Sequence, residues 1–203
     1  MSEMNRRDAL TLLALAPAAT AFTWTAPEAA TASSRAAIAR AEAAAAGKQY
    51  EPRFFTPHEW ETVHVLVDMI IPRDERSGSA TDAGVPEFMD FIMMDQPERQ
   101  TAMRGGLAWL DNECRKRFGK DFVSCDDAQR RAVLDDIAWP RRARPEMSHG
   151  VAFFNSFRDL TATGFWTTKM GMEDLQFMGN TYVPEWHGCP EPALRHLGVS
   201  YND

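Results

Sequence analysis

The chain has 203 residues, of which 44% are apolar and 25% charged, and its formal net charge is −7. This composition is typical of a soluble globular protein, and the length suits one domain that buries roughly 70% of its unfolded surface. The negative net charge and the lack of a long Lys/Arg run argue against nucleic acid as a partner, because a surface that binds nucleic acid needs clustered positive charge.

The N-terminus has the layout of an export signal. Adjacent Arg6 and Arg7 precede a mildly apolar stretch, residues 9–21, which is shorter than the roughly 20 residues that a membrane span needs. We therefore predict a twin-arginine export signal over residues 1–32, with the mature chain beginning after residue 21 or after residue 32. The alternative is a buried N-terminal helix that happens to begin with two arginines.

An alanine-rich segment follows the predicted signal. Over residues 33–49 the composition predicts a helix with Ser33 or Ser34 as its N-cap and Gly47 as its end. Ile38 is its only larger aliphatic side chain, too little to bury against a core. We interpret the segment as an arm or linker.

Residues 50–203 contain the start and stop signals of a series of helices. "FTPHEWETVHVLVDMIIP" begins with Thr56 as N-cap, Pro57 at the first helical position and Glu59 at the third, which is a capping box. Its predicted apolar face contains Trp60, Val63, Val67 and Ile70.

Later helices are predicted from their start signals. Helices are predicted to start at Pro86, Pro97, Ser124 and Pro145, the last of these ending near Leu160. The helix that starts at Pro97 should bend or break at Gly105 and Gly106. A short helix is predicted around residues 173–177, and "EPALRHLG" is predicted to add a last turn. No segment alternates like a β-strand, and no internal repeat is present. The prediction is an irregular all-α single-domain fold of about five to seven helices with a long C-terminal loop.

Catalytic and cofactor motifs are missing from the sequence. "HEWETVH" is not a zinc motif, since His58 and His64 are six residues apart and lie on different helix faces. No dinucleotide-binding glycine pattern, haem-attachment motif or nucleophile elbow occurs, and three scattered cysteines cannot hold an iron–sulfur cluster alone. We predict no catalytic residue and no cofactor or metal site in this chain.

The loop "GNTYVPEWHGCP", residues 179–190, leaves one metal alternative open. Glu185, His187 and Cys189 alternate, so an extended loop would point all three the same way, but a fourth ligand is not evident.

The odd number of cysteines is informative for an exported protein. Cys114 lies on an apolar helix face and is interpreted as a core residue, and Cys125 could pair with it. Cys189 is the candidate for a disulfide to another chain, and a buried free thiol is the equal alternative.

Seven blocks of sequence, in order, resemble the gluconate 2-dehydrogenase subunit 3 family. They are "HEWETVHVLVDMIIP", "SGSATDAGVPEFMDF", "RGGLAWLD", "DDIAWP", "SHGVAFFNSFRDLT", "GFWTTKMG" and "GNTYVPEWHGCP". The resemblance runs from the twin arginines to the end of the chain.

The resemblance implies a non-catalytic role. Members are all-α small subunits of periplasmic, membrane-associated sugar dehydrogenases, whose large subunit belongs to the glucose–methanol–choline oxidoreductases and holds FAD. Electrons commonly leave through a cytochrome c subunit. Where the large subunit lacks an export signal, the small subunit supplies it and acts as a chaperone.

On this account the C-terminal loop is a docking surface. Tyr182, Trp186, His187 and Cys189 are its candidate contacts, with Cys189 able to lock the two subunits covalently. Trp186 as a core residue is the alternative for that side chain. The competing functions are a stand-alone periplasmic enzyme or metal-binding protein that uses Glu185, His187 and Cys189, and a free-standing sugar-binding module.

Overall fold

The computed structural model describes residues 26–177, 179, 182, 184, 185 and 187–201. Over these residues the chain forms nine α-helices, three short 3-10 helices and no strand, which confirms the all-α prediction. The α-helices are α1 (Ala26–Ala45), α2 (Pro57–Ile70), α3 (Ala80–Ala83), α4 (Val85–Asp95), α5 (Gln100–Phe118), α6 (Asp127–Ala138), α7 (Ser148–Trp166), α8 (Lys169–Asp174) and α9 (Glu191–Leu197). The 3-10 helices are Pro97–Arg99, Phe122–Ser124 and Pro145–Met147.

Helix α2 begins as the sequence predicts. The Thr56 hydroxyl accepts a hydrogen bond from the Glu59 backbone N–H, and the Glu59 carboxylate accepts one from the Thr56 N–H at 2.8 Å. Val63 and Val67 are fully buried, so the predicted apolar face is the core-facing side of the helix.

Helix α1 packs against the core, which contradicts the expectation that this segment has too little apolar surface to do so. It begins at Ala26 rather than at Ser33 or Ser34, and Ala29, Ala32 and Ala36 are buried on the side that packs against α4. Small side chains let two helices approach closely, so a face of alanines can pack without large aliphatic residues.

Helix α5 is continuous through Gly105 and Gly106, so the expectation of a break there is wrong. A Cβ atom at Gly106 would lie 1.8 Å from Cδ2 of Phe153 on α7. Glycine is thus required here by the close approach of α7, and tertiary packing offsets its low helix propensity.

Helices α6 and α7 have different ends from those expected. Asp126, and not Ser124, caps α6, forming a reciprocal capping box with Gln129. Ser124 instead belongs to the preceding 3-10 turn. Pro145 begins a 3-10 turn, and α7 then extends past Leu160 to Trp166.

The core lies where α2, α4, α5 and α7 meet. Phe88, Phe122, Phe157 and Phe165 are among its largest fully buried side chains. None of the helices in the described part of the chain combines the length and the hydropathy of a membrane span.

The segment before α2 is held by a buried carboxylate on α4. Asp90 accepts hydrogen bonds from the Tyr50 hydroxyl at 2.8 Å and from the backbone N–H groups of Arg53, Phe54 and Phe55 at 2.9, 2.9 and 3.3 Å. Burial, followed by this contact with Asp90, raises the pKa of the Tyr50 hydroxyl. These bonds satisfy backbone groups that would otherwise be buried without partners.

Candidate docking surface

Helix α8 is fixed firmly to the end of α7. The Thr168 hydroxyl caps it by accepting a hydrogen bond from the Gly171 N–H at 3.1 Å. A Cβ atom at Gly171 would lie 2.2 Å from the Phe165 carbonyl oxygen, so the two backbones touch. An ion pair of 3.2 Å between Arg76 and Asp174 adds a link to the loop after α2.

The chain leaves α8 through a left-handed turn. Gln176 has φ 54°, and the Phe177 N–H donates to the Met172 carbonyl at 2.9 Å. This six-to-one hydrogen bond is a Schellman motif, in which the two end residues commonly make an apolar contact. Met172 and Phe177 accordingly line one open hollow, together with Lys169 and Glu173.

Large apolar side chains are concentrated on the solvent side of this region. Of eleven large apolar side chains that are exposed among the described residues, eight lie from Trp166 onward. We define the C-terminal surface as the five of these that fall between the end of α7 and the loop, which are Trp166, Met172, Leu175, Phe177 and Tyr182. Their exposed fractions rise from 39% at Trp166 to 87% at Tyr182. Because contiguous apolar patches on soluble proteins commonly serve as interaction sites, this region is the candidate docking surface.

Helix α9 adds little to the core, because none of its residues is buried. The Tyr201 hydroxyl accepts a hydrogen bond from the Cys189 N–H at 2.6 Å, which joins the two sides of α9. Its ring also lies over Gly188, whose φ of 92° and missing Cβ allow the contact. The Cys189 thiol is free and exposed, so the alternative of a buried thiol is wrong at this position.

The other predicted contact residues fall in two groups. Tyr182 and His187 are exposed and make no hydrogen bond or ring contact with other described residues. Arg6, Arg7 and Trp186 lie outside the described residues.

The metal alternative finds no support in the C-terminal loop. Glu185, His187 and Cys189 are all exposed. No group of three or more metal-ligating side chains forms anywhere in the described part of the chain.

A second concave feature is an apolar cleft between α5 and α7. It has a volume of about 440 Å³, and Met103, Trp109, Phe153 and other apolar side chains line it. Its polar lining groups are Arg99, His149 and Ser156. Ser156 and His149 share no hydrogen bond within the described residues. The cleft thus shows no preformed nucleophile–base pair of the kind that acyl-transfer enzymes use.

A partly buried polar contact toward the other end of α5 was not predicted from the sequence. His58 Nε2 and Asp111 Oδ2 lie 2.6 Å apart, while Asp111 Oδ1 accepts from the Phe122 N–H at 3.0 Å. The hydrogen bond to Asp111 raises the pKa of His58, although desolvation works against it. This contact joins α2, α5 and the 3-10 turn, and so it supports the fold.

Sequence comparison assigns the chain to a family. A family model described as gluconate 2-dehydrogenase subunit 3 matches residues 57–185, more than half of the chain. The match runs from the start of α2 through α8 and includes Leu175, Phe177 and Tyr182, and it ends before His187 and Cys189. Searches of curated proteins and of solved structures found no significant match.

Proposed function

Because the chain belongs to the gluconate 2-dehydrogenase subunit 3 family, we propose that it is a non-catalytic small subunit that docks onto a large FAD-containing dehydrogenase subunit. The observation that supports this most directly is the exposure of the C-terminal surface. The large subunit would carry the FAD and the sugar or sugar-acid site, and this chain would hold no cofactor of its own.

The C-terminal surface presents residue types that are common in interface cores, with Lys169 and Glu173 beside them. Aromatic residues and Met are enriched where two proteins meet, whereas Lys and Glu are depleted. Phe177 is 59% and Met172 41% exposed, so covering either with a partner would contribute about half of the roughly 1.5–3 kcal/mol gained by burying a fully exposed side chain of this kind. Tyr182 and Trp186 would extend the same contact along the loop, with His187 beside them.

In the proposed complex, Cys189 would be able to form a disulfide between the two subunits. Its thiol is exposed and lies four residues beyond the segment that the family match covers. In an oxidising compartment an exposed thiol at an interface can form a disulfide with a cysteine of the partner. We include this bond in the proposal as a lock on an interface that apolar contacts already form.

Export completes the proposed role. Arg6 and Arg7 would direct the chain to the twin-arginine route, which carries folded proteins, and the docked large subunit would cross with it to the periplasm. Holding the flavoprotein until export is a chaperone function. A cytochrome c subunit would then receive the electrons from the FAD.

The test is an affinity pull-down of the full chain from the native periplasm without reductant. We expect a yellow eluate with flavin absorbance and a second, much larger chain. A non-reducing gel should show a covalent band that Cys189→Ser removes while His187→Ala leaves it in place. A colourless eluate with this chain alone would overturn the subunit proposal, and a band that survives Cys189→Ser would overturn only the disulfide.

The export part is tested separately with the pair of substitutions Arg6→Lys and Arg7→Lys. Both subunits should then remain in the cytoplasm, still bound to each other. Periplasmic recovery of either subunit at the wild-type level would show that another signal directs it.

A further inference from the structure

Two of the three cysteines, Cys114 and Cys125, flank the connection between α5 and α6. Cys114 lies on α5 one helical turn after Asp111, whose carboxylate accepts the Phe122 N–H at 3.0 Å. Cys125 follows Phe122 by one 3-10 turn and immediately precedes the N-cap of α6. The Asp111 contact therefore draws the residues around Cys125 onto the face of α5 that carries Cys114.

The two thiols are buried neighbours inside the core. Cys114 is 0% exposed and Cys125 is 3% exposed, and both belong to the same buried cluster. Cys125 lies near enough to Cys114 to help raise the pKa of its thiol, and both are free thiols in this structure. Buried free cysteines usually act as small apolar side chains, but two in contact can also form a bond.

We propose that Cys114 and Cys125 form a redox-convertible dithiol, which a disulfide-bearing oxidant closes to an intramolecular disulfide between the C-terminal half of α5 and the residue before the N-cap of α6. The proposal concerns this chain alone and holds whether or not the docking proposal is correct. It also differs from the proposed intersubunit bond, which uses Cys189.

The exchange consumes one oxidant disulfide for each bond formed. The thiolate of one cysteine attacks a sulfur of the oxidant, which forms a mixed disulfide and releases the first oxidant thiol. The second protein thiolate then attacks the protein sulfur of that mixed disulfide and releases the second oxidant thiol. In total the two protein thiols lose two electrons and two protons, and the oxidant disulfide is reduced to two thiols.

Burial makes this exchange slow in the folded chain. Desolvation is the largest cause that raises the pKa of the Cys114 thiol, to about 12, with contact to Cys125 as the next cause. The thiolate is the attacking species, so at neutral pH a folded molecule offers almost none of it and gives the oxidant no access. Exchange must pass through an opening of the turn after Gly119, or must happen before that turn closes during folding.

The redox state of the pair would therefore record the order of folding and oxidation. A chain that folds in a reducing compartment and is then exported should keep both thiols, and a chain that folds in the presence of an oxidant should carry the disulfide. The pair thus distinguishes export in the folded state from folding after export.

The experiment uses the full chain with Cys189→Ser, which removes the exposed third thiol without touching the core. One sample is treated with glutathione disulfide while folded, and another is refolded from urea in the same buffer. Peptide mass spectrometry then measures the fraction of chains in which Cys114 and Cys125 are linked. We expect the linked form to be produced during refolding, and at least about tenfold more slowly in the folded sample.

The disulfide should also stabilise the fold. By restricting the unfolded chain, closure of this short loop should raise the Tm by about 5–10 °C, and dithiothreitol should reverse the rise. Adding Cys125→Ser as a control should abolish both the link and the redox-dependent Tm. Refolded chains with two unlinked thiols, chains that carry only mixed disulfides with glutathione, or a linked form with a lower Tm would each overturn the proposal.

Discussion

The hydrogen bond between His58 and Asp111 makes part of the stability depend on pH. Because the contact raises the pKa of His58 in the folded state, protonation favours folding. The stabilisation is complete below the ordinary histidine pKa of about 6.5 and is lost as the pH rises through the raised folded value. Since the His58 side chain is 44% exposed, solvent screening limits the effect to below about 1 kcal/mol.

Urea unfolding at a series of pH values checks this prediction. The free energy of unfolding should fall for the wild type as the pH rises from about 6 to about 8, and the fall should be smaller in His58→Gln. His149→Gln is the matched control, because His149 is exposed and forms no ion pair within the described residues. A wild-type slope that His58→Gln leaves unchanged would contradict the role of this pair.

The same two residues show where prediction from the sequence ends. Helix geometry alone was enough to show that His58 and His64 cannot share a metal, since that is a local question. The partner of His58 is 53 residues away, on α5. Nothing in the sequence pattern pairs His58 with Asp111 rather than with another carboxylate, because that choice depends on how α2 and α5 pack.

The two neighbouring glycines of α5 give a matched test of helix packing. Gly106→Ala places a methyl group into the Phe153 ring, whereas Gly105→Ala meets nothing within 4 Å. Overpacking should cost Gly106→Ala about 1–3 kcal/mol, while Gly105→Ala should gain up to about 1 kcal/mol from its higher helix propensity. Urea denaturation measures both, and equal effects would mean that α5 and α7 do not meet at Gly106.

The packing of α1 has its own matched pair. Ala36 is buried on the side that packs against α4, and Ala37 is exposed. Ala36→Glu would bury a carboxylate, so we expect it to release α1 and accelerate amide hydrogen exchange along residues 26–45. Ala37→Glu should leave the exchange near the wild-type rate. Slow exchange in both variants, or fast exchange already in the wild type, would contradict the packed arrangement.

Local sequence signals predicted that the helices exist better than they predicted where each helix begins and which face it buries. The capping box at Thr56 was identified correctly because every group it needs lies within four residues. The start of α6 was placed at Ser124 instead of Asp126, since both residue types cap helices and only the 3-10 turn decides between them. The buried face of α1 was missed because an alanine stripe shows almost no contrast in hydrophobicity.

At the scale of the whole molecule, the described residues divide their large apolar side chains between a core and the surface, and eight of the eleven exposed ones lie from Trp166 onward. Tyr182, His187 and Cys189 lie exposed outside the helices, and their role as docking contacts stays a prediction. The sequence did not predict that Met172 and Phe177 would be exposed as well, because a short apolar helix looks the same whether it is buried or not. Their exposure depends on which surfaces α7 leaves covered, and that is a property of the complete fold.

This division predicts that docking can be weakened without weakening the fold. Leu175→Ala and Phe177→Ala remove side chains that are 57% and 59% exposed, so each should change the free energy of unfolding by no more than about 0.5 kcal/mol. Together they should greatly reduce recovery of the flavin-containing subunit in the pull-down, because a few central side chains carry most of the binding energy of an interface. Ile38→Ala is the matched control, since Ile38 is 56% exposed but lies on α1. If Ile38→Ala reduced recovery as much as the two C-terminal substitutions do, the partner would have to bind a different face. If none of the three substitutions reduced recovery, apolar contact by the C-terminal surface would not hold the subunits together.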